Sequence, residues 1–175
     1  TVENAAQVTE LLALGKGGIV KYERADAGRA LLVLTPLGLY HLDPESLAQI
    51  QFHAGALEYF LLPGATRVLL RFPEGLLKVV NAADGSVLLQ AQFQVKLPWY
   101  VEDNISDLSP AEKDRIREMF RQELFVIRSV ATSPDGSLLA VATGDHHLRV
   151  WSLGDGALVH SLDAFCAAAA RVGLG

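Results

Sequence analysis

Apolar and polar positions alternate with a short period from Val126 to Leu162, which reads VIRSVATSPDGSLLAVATGDHHLRVWSLGDGALVHSL. Val126, Val130, Leu138, Leu139, Val141, Leu148, Val150 and Trp151 supply side chains that suit a pleated surface. The runs are too short for ordinary helices. Breakers bound them at Ser133-Pro134-Asp135-Gly136, Gly144-Asp145 and Gly154-Asp155-Gly156. Pro134 has its φ already fixed for a tight turn, Gly136 follows where positive φ is needed, and Asp155-Gly156 is a hairpin signal. The pattern predicts one four-stranded antiparallel unit. Within its third strand, Leu148 and Val150 point to one face, and Arg149 and Trp151 to the other.

Two similar units precede it. Residues 18–52 predict strands at Val20–Arg24, Ala30–Thr35, Gly38–Asp43 and Ala48–Phe52; residues 53–94 predict them at Ala56–Leu61, Arg67–Phe72, Gly75–Val80 and Val87–Phe93. Gly28 aligns with Gly136 (136 − 28 = 108), and Leu42 with Trp151 (151 − 42 = 109). Leu42 and Val80 are separated by 80 − 42 = 38 residues, a repeat-protein period.

The turn Ser133-Pro134-Asp135-Gly136, followed by Thr143, Asp145 and Trp151, resembles the WD-repeat family. The resemblance implies a β-propeller blade. It also implies that Thr143, Asp145 and Trp151 occupy the Ser/Thr, Asp and Trp places of a structural hydrogen-bond tetrad. Ser152 replaces the family's Asp after Trp, and Gln122-Glu123 stands where the family places Gly-His. His53-Ala54-Gly55 is similar to the H-x-G that opens a repeat, which implies a structural pair between His53 and Glu74. The reading is all-β: a partial WD-repeat-like propeller with an N-terminal helix and an inserted helix.

From Val80 to Trp151 the spacing is 151 − 80 = 71, one period plus an excess that maps to residues 95–123. This insertion contains Leu97-Pro98-Trp99-Tyr100, an acidic loop, and Ser109-Pro110-Ala111-Glu112. The last four predict a helix over 110–122, with Ser109 as N-cap, Pro110 at N1 and Glu112 closing a capping box. Ile116, Met119 and Phe120 share one face of it. Residues 1–14 predict a further helix with Val8, Leu11 and Leu12 on one side, followed by a linker to residue 17. Residues 124–163 are the third blade, and 164–175 begin an incomplete fourth repeat. A closed propeller has roughly four to eight blades, so the chain is expected to be part of a longer protein or to assemble.

Half of the residues are hydrophobic and 20% are charged, which supports a packed core. The net charge of −5 and the absence of a basic stripe argue against nucleic acid as a partner. No run of 18 apolar residues predicts a membrane span. The single Cys166 excludes an internal disulfide and leaves the compartment open. Asp145-His146-His147 lacks a third metal ligand at recognisable spacing. Gly15-Lys16-Gly17-Gly18 lacks phosphate-loop spacing. No Ser or Cys has a base and an orienting group at recognisable positions, so no catalytic, metal or cofactor site is assigned.

The expected role is a non-catalytic protein-interaction scaffold. The alternative is the repeat sensor region of a larger signalling protein whose catalytic domain lies elsewhere. Trp99 and Tyr100 are the candidate partner contacts, since an aromatic pair can anchor an interface. The helix over 1–14 is expected to cover an exposed sheet edge at one end through Val8, Leu11 and Leu12, and self-association through open blade edges is a further expectation, two chains pairing through open ends giving a six-bladed ring. For Asp145→Ala, loss of the tetrad hydrogen bonds alone predicts a stability cost of about 1–3 kcal/mol.

Overall fold

The computed structural model describes residues 18–163, so the helix expected over 1–14, the repeat start over 164–175 and Cys166 lie outside the described residues. Among the described residues, twelve strands form three four-stranded antiparallel sheets, each a meander of consecutive strands. The first blade comprises β1 (Lys21–Ala25), β2 (Ala30–Thr35), β3 (Gly38–Leu42) and β4 (Gln49–Ala54). The second comprises β5 (Glu58–Leu61), β6 (Arg67–Arg71), β7 (Leu76–Asn81) and β8 (Val87–Gln92). The third comprises β9 (Ile127–Thr132), β10 (Leu138–Thr143), β11 (His147–Ser152) and β12 (Leu158–Asp163). His53 and Ala54 close the first blade through β4; they do not open the second, because Leu39 and Gly38 pair with them in register.

The repeat is visible in the backbone. Each blade shifts register between its third and fourth strands, at His41/Leu42, Val79/Val80 and Val150/Trp151. These are the positions that the 38-residue and 109-residue spacings aligned. The bulge increases local twist and aims its residue at the neighbouring blade.

Strand alternation gives each central pair of strands a leading face, toward the following blade, and a trailing face. The leading face of the first blade carries Leu32, Leu34 and Leu39. These pack on Tyr59, Val68, Leu70 and Val80 of the second. The leading face of the second carries Leu69, Leu77 and Val79, which pack on Ile127, Leu139, Val141 and Trp151 of the third. Burying each of these large side chains stabilises by about 1.5–3 kcal/mol. The trailing face of the first blade is also buried: Val33, Tyr40 and Leu42 form a third cluster, with Tyr40 stacked on Phe52 at 4.4 Å.

The turns after the third strands also repeat. Leu47, Gly85 and Gly156 each donate their N–H to the carbonyl four residues back, Asp43, Asn81 and Ser152. All three have positive φ: 58°, 71° and 76°. Only Leu47 bears a Cβ there, and a side chain in left-handed backbone costs about 1 kcal/mol. Leu47→Gly is expected to raise stability by about 0.5–1 kcal/mol, read as an increased urea midpoint with unchanged slope. A lowered midpoint would mean that packing of the Leu47 side chain outweighs the strain.

Candidate interaction surface

The insertion between the second and third blades folds as two helices. Trp99 and Tyr100 begin α1 (Trp99–Asn104), where the sequence alone placed a loop, and α2 runs Pro110–Leu124, two residues longer than expected. The capping box forms: Ser109 N–H donates to Glu112 Oε2 at 3.1 Å, and Glu112 N–H donates to Ser109 Oγ at 3.5 Å. Val101 and Ile105 are buried and tie α1 down. Arg117 joins the helices, donating to both Glu102 oxygens at 3.0 and 2.6 Å. The Arg117 hydrogen bonds hold the Glu102 carboxyl below its usual range.

The far end of α2 is bolted to the third blade. Gly144 and Asp145 donate their N–H groups to the carbonyls of Val126 and Leu124 at 2.8 and 3.1 Å. A Cβ on Gly144 would lie 2.1 Å from the Glu123 carbonyl oxygen, so the approach requires glycine. Behind this turn sits a charged lock. Thr143 Oγ1 donates to Asp145 Oδ1 at 2.5 Å, and Arg149 donates to Thr143 Oγ1 at 2.7 Å and to both Asp145 oxygens at 3.1 and 2.5 Å. Both side chains of this ion pair are about 7% exposed. Burial pushes the Asp145 carboxyl up, but the hydrogen bonds from Arg149 and Thr143 prevail and hold it below its ordinary value. The Arg149 guanidinium lies 4.4 Å over the Phe93 ring, which meets Phe125 edge to face at 5.5 Å.

The structure thus brings Thr143 and Asp145 together. Trp151 is buried on the same sheet side, but its ring lies against Phe93, 6.5 Å between centroids, and Arg149 supplies the partner that completes the network. Arg149 was absent from the sequence-derived site; the available signal was strand alternation, which set it on the Trp151 face. His53 and Glu74 are not joined by a hydrogen bond or ion pair. The His53 ring instead meets His41 at 5.1 Å, while the Glu74 carbonyl accepts from Gln92 at 3.4 Å. His147 Nδ1 lies 3.0 Å from the Asp145 carbonyl. Among the described residues, no three His, Cys, Asp or Glu side chains converge on a metal-sized site.

Trp99 and Tyr100 point outward, 77% and 48% exposed, and touch each other edge to face at 6.2 Å. No residue of α2 is fully buried. Between α2 and the rim of the second blade lies a cleft of ≈ 1020 Å³, bordered by Pro73, Gln92, Val95, Met119, Gln122 and Phe125. On the other side of Met119, Leu108 and Ile116 line a shallower hollow of ≈ 560 Å³. Met119 itself is 61% exposed. The insertion therefore presents aromatic and thioether groups from an anchored platform.

No protein-family model and no curated protein matches the sequence. Solved structures match its shape. U3-55K aligns at TM-score 0.55 and 10% identity, over 87% of this chain and 41% of that one. The computationally designed Ika4 protein aligns at 0.53 and 15%, over 89% and 80%. The Swd1 β-propeller domain from Myceliophteria thermophila aligns at 0.48 and 17%, over 81% and 40%. The chain thus spans less than half the length of U3-55K and of the Swd1 domain. Identities this low speak to fold alone. With three four-stranded antiparallel blades stacked through apolar seams, the fold is a partial β-propeller carrying an inserted helical pair.

Proposed function

We propose that this chain is a non-catalytic protein-interaction scaffold of the WD-repeat type, and that the inserted α1–α2 platform is its contact surface. The observation that carries this reading is the outward-facing Trp99–Tyr100 pair on a helix held in place by Val101, Ile105 and the Arg117–Glu102 bridge. Large apolar side chains exposed together on a fixed element serve as anchors, because little ordering entropy remains to be lost on binding. The Asp145–Arg149 lock serves the platform by fixing the turn on which α2 ends.

The test is a double substitution, Trp99→Ala with Tyr100→Ala. Both rings are exposed, so the urea midpoint is expected to stay within about 0.5 kcal/mol of the parent. Chemical cross-linking of the chain in native extract is expected to yield a discrete protein adduct that the double variant loses at least tenfold. An adduct indifferent to the substitution would move the contact elsewhere. The absence of any discrete adduct would sink the scaffold reading.

A further inference from the structure

The stretch that joins β8 to α1 holds backbone groups that the fold leaves unused. Residues 94–97 lie in neither strand nor helix, and among the described residues none of their N–H or C=O groups makes a hydrogen bond. The gap has sharp limits: Phe93 donates its N–H to Gly75 at 3.1 Å, and Val101 donates to Pro98 at 3.0 Å. The stretch is nevertheless held, because Val95 packs against the seam between the second and third blades. Main-chain groups in a fixed segment normally have partners, and a run without them is a template for one more strand.

Gln94 and Val95 border the cleft of ≈ 1020 Å³ between α2 and the second blade. Its size matches the upper end of ligand sites, about 300–1,000 Å³. Its lining mixes donors and acceptors without a dominant charge. Gln92 and Gln122 each donate from the side-chain amide, to the Glu74 carbonyl at 3.4 Å and to Glu118 at 3.2 Å, which leaves both amide oxygens as acceptors. Arg71 has a side chain only 14% exposed and engages Nε alone, with Glu58 at 2.7 Å; its two terminal nitrogens have no acceptor among the described residues. Arg71 and Arg121 stand against Glu74, Glu118 and Glu123, so the lining favours neither a phosphate nor a cation. A ligand that presents neutral N–H and C=O groups in alternation is a polypeptide main chain. Pro73, Met119 and Phe125 offer apolar contact to its side chains.

We propose that the cleft seats an extended segment of a partner protein, paired as an added strand with the main chain of residues 94–97. The inference rests on the reading of the inserted helices as the contact surface, and it adds the form of partner they take. That form is an uncharged run with large apolar side chains at alternate positions, one side of which meets the cleft wall.

The probe is a phage-displayed library of random linear peptides, panned on the full chain. Enriched peptides are expected to be apolar at alternate positions, and fluorescence polarisation gives their Kd. N-methylation of single amides along an enriched peptide removes the hydrogens that pair strands. It is expected to weaken binding at least tenfold at alternate positions and little at those between. Gln122→Trp fills the cleft from an exposed position on α2 and is expected to weaken binding at least tenfold. Ile50→Glu, on β4 of the first blade, is expected to leave it unchanged. A library that yields no peptide, an N-methyl series without alternation, or binding indifferent to Gln122→Trp would each overturn the proposal. The native-extract adduct judges the platform separately. An adduct lost on Trp99→Ala with Tyr100→Ala but kept by Gln122→Trp overturns the cleft and leaves the platform in place. Peptide binding of the expected form without any adduct supports the cleft and removes the platform.

Discussion

Replacing Asp145 with alanine is expected to lower stability by about 3–5 kcal/mol, well beyond the usual cost of lost neutral hydrogen bonds. The difference is Arg149. Its guanidinium donates to both Asp145 oxygens and to Thr143 from a buried position against the Phe93 ring. Removing the carboxylate leaves that cation desolvated and unpaired, which is the costly way to break a buried pair. Removing both charges is different. Asp145→Ala combined with Arg149→Met deletes the cation and keeps an apolar stem of similar reach. The double variant is expected to regain at least half of the loss. Asp145→Asn keeps an acceptor for Thr143 and is expected to fall between the two. The measurement is the urea midpoint of each variant, with circular dichroism to confirm a single transition. A cost for Asp145→Ala near 1 kcal/mol, or no recovery in the double variant, would show that Arg149 reaches water when its partner is removed.

This lock also marks where sequence reasoning stopped. The strands were legible because alternation and breakers are local: Ala30–Thr35 and Val87–Gln92 lie almost where the pattern put them. The spacing of Leu42, Val80 and Trp151 was legible because each sits at the same backbone bulge. What a neighbour supplies was not legible. Nothing within the third repeat says that Phe93, from the end of the second, lies under Arg149, and nothing local says that the His53 ring meets His41. α1 escaped detection because six residues carry too little periodicity; its order depends on burying Val101 and Ile105. Pro98 stands at the N-cap of this helix, where its missing N–H costs no intrahelical hydrogen bond. Trp99 and Tyr100 were picked out as aromatics in a polar context, but their exposure depends on which side of α1 those two buried residues hold down.

The His41–His53 contact predicts how the seam between the first and second blades responds to acid. His41 is completely buried on the leading face of the first blade, and neither of its ring nitrogens has a hydrogen-bond partner. Burial, and secondarily the neighbouring His53, lower its pKa from 6.5 to about 4; the Ala82 backbone and the Asp84 carboxylate oppose this without reversing it. His53 is lowered as well, by burial and then by Lys78, with the Gly85 backbone opposing. A group whose folded pKa lies below its unfolded value leaves the folded state short of a proton that the unfolded chain holds. Stability therefore falls as pH drops through 6.5, and the loss from His41 is complete near pH 4. A depression of that size corresponds to about 3 kcal/mol for His41 alone. Carboxylates act in a lower window: Asp135, held at about 2 by the Ser133 hydroxyl and then by the Ser137 backbone and hydroxyl, loses its contribution only below its ordinary value of 3.8. Chemical denaturation from pH 7.5 to 4.5 thus stays largely above the carboxylate window, which Glu102 and Glu112, lowered from 4.5, enter only at its acid end. His41→Leu places an aliphatic side chain where Val79 and Val150 stand in the other blades, and it is expected to remove most of the slope between pH 6.5 and 4.5. His53→Gln is expected to remove less, since it leaves His41 buried. Parent stability flat across this range would mean that His41 keeps a hydrated path to its ring nitrogens and that the seam carries no acid sensitivity.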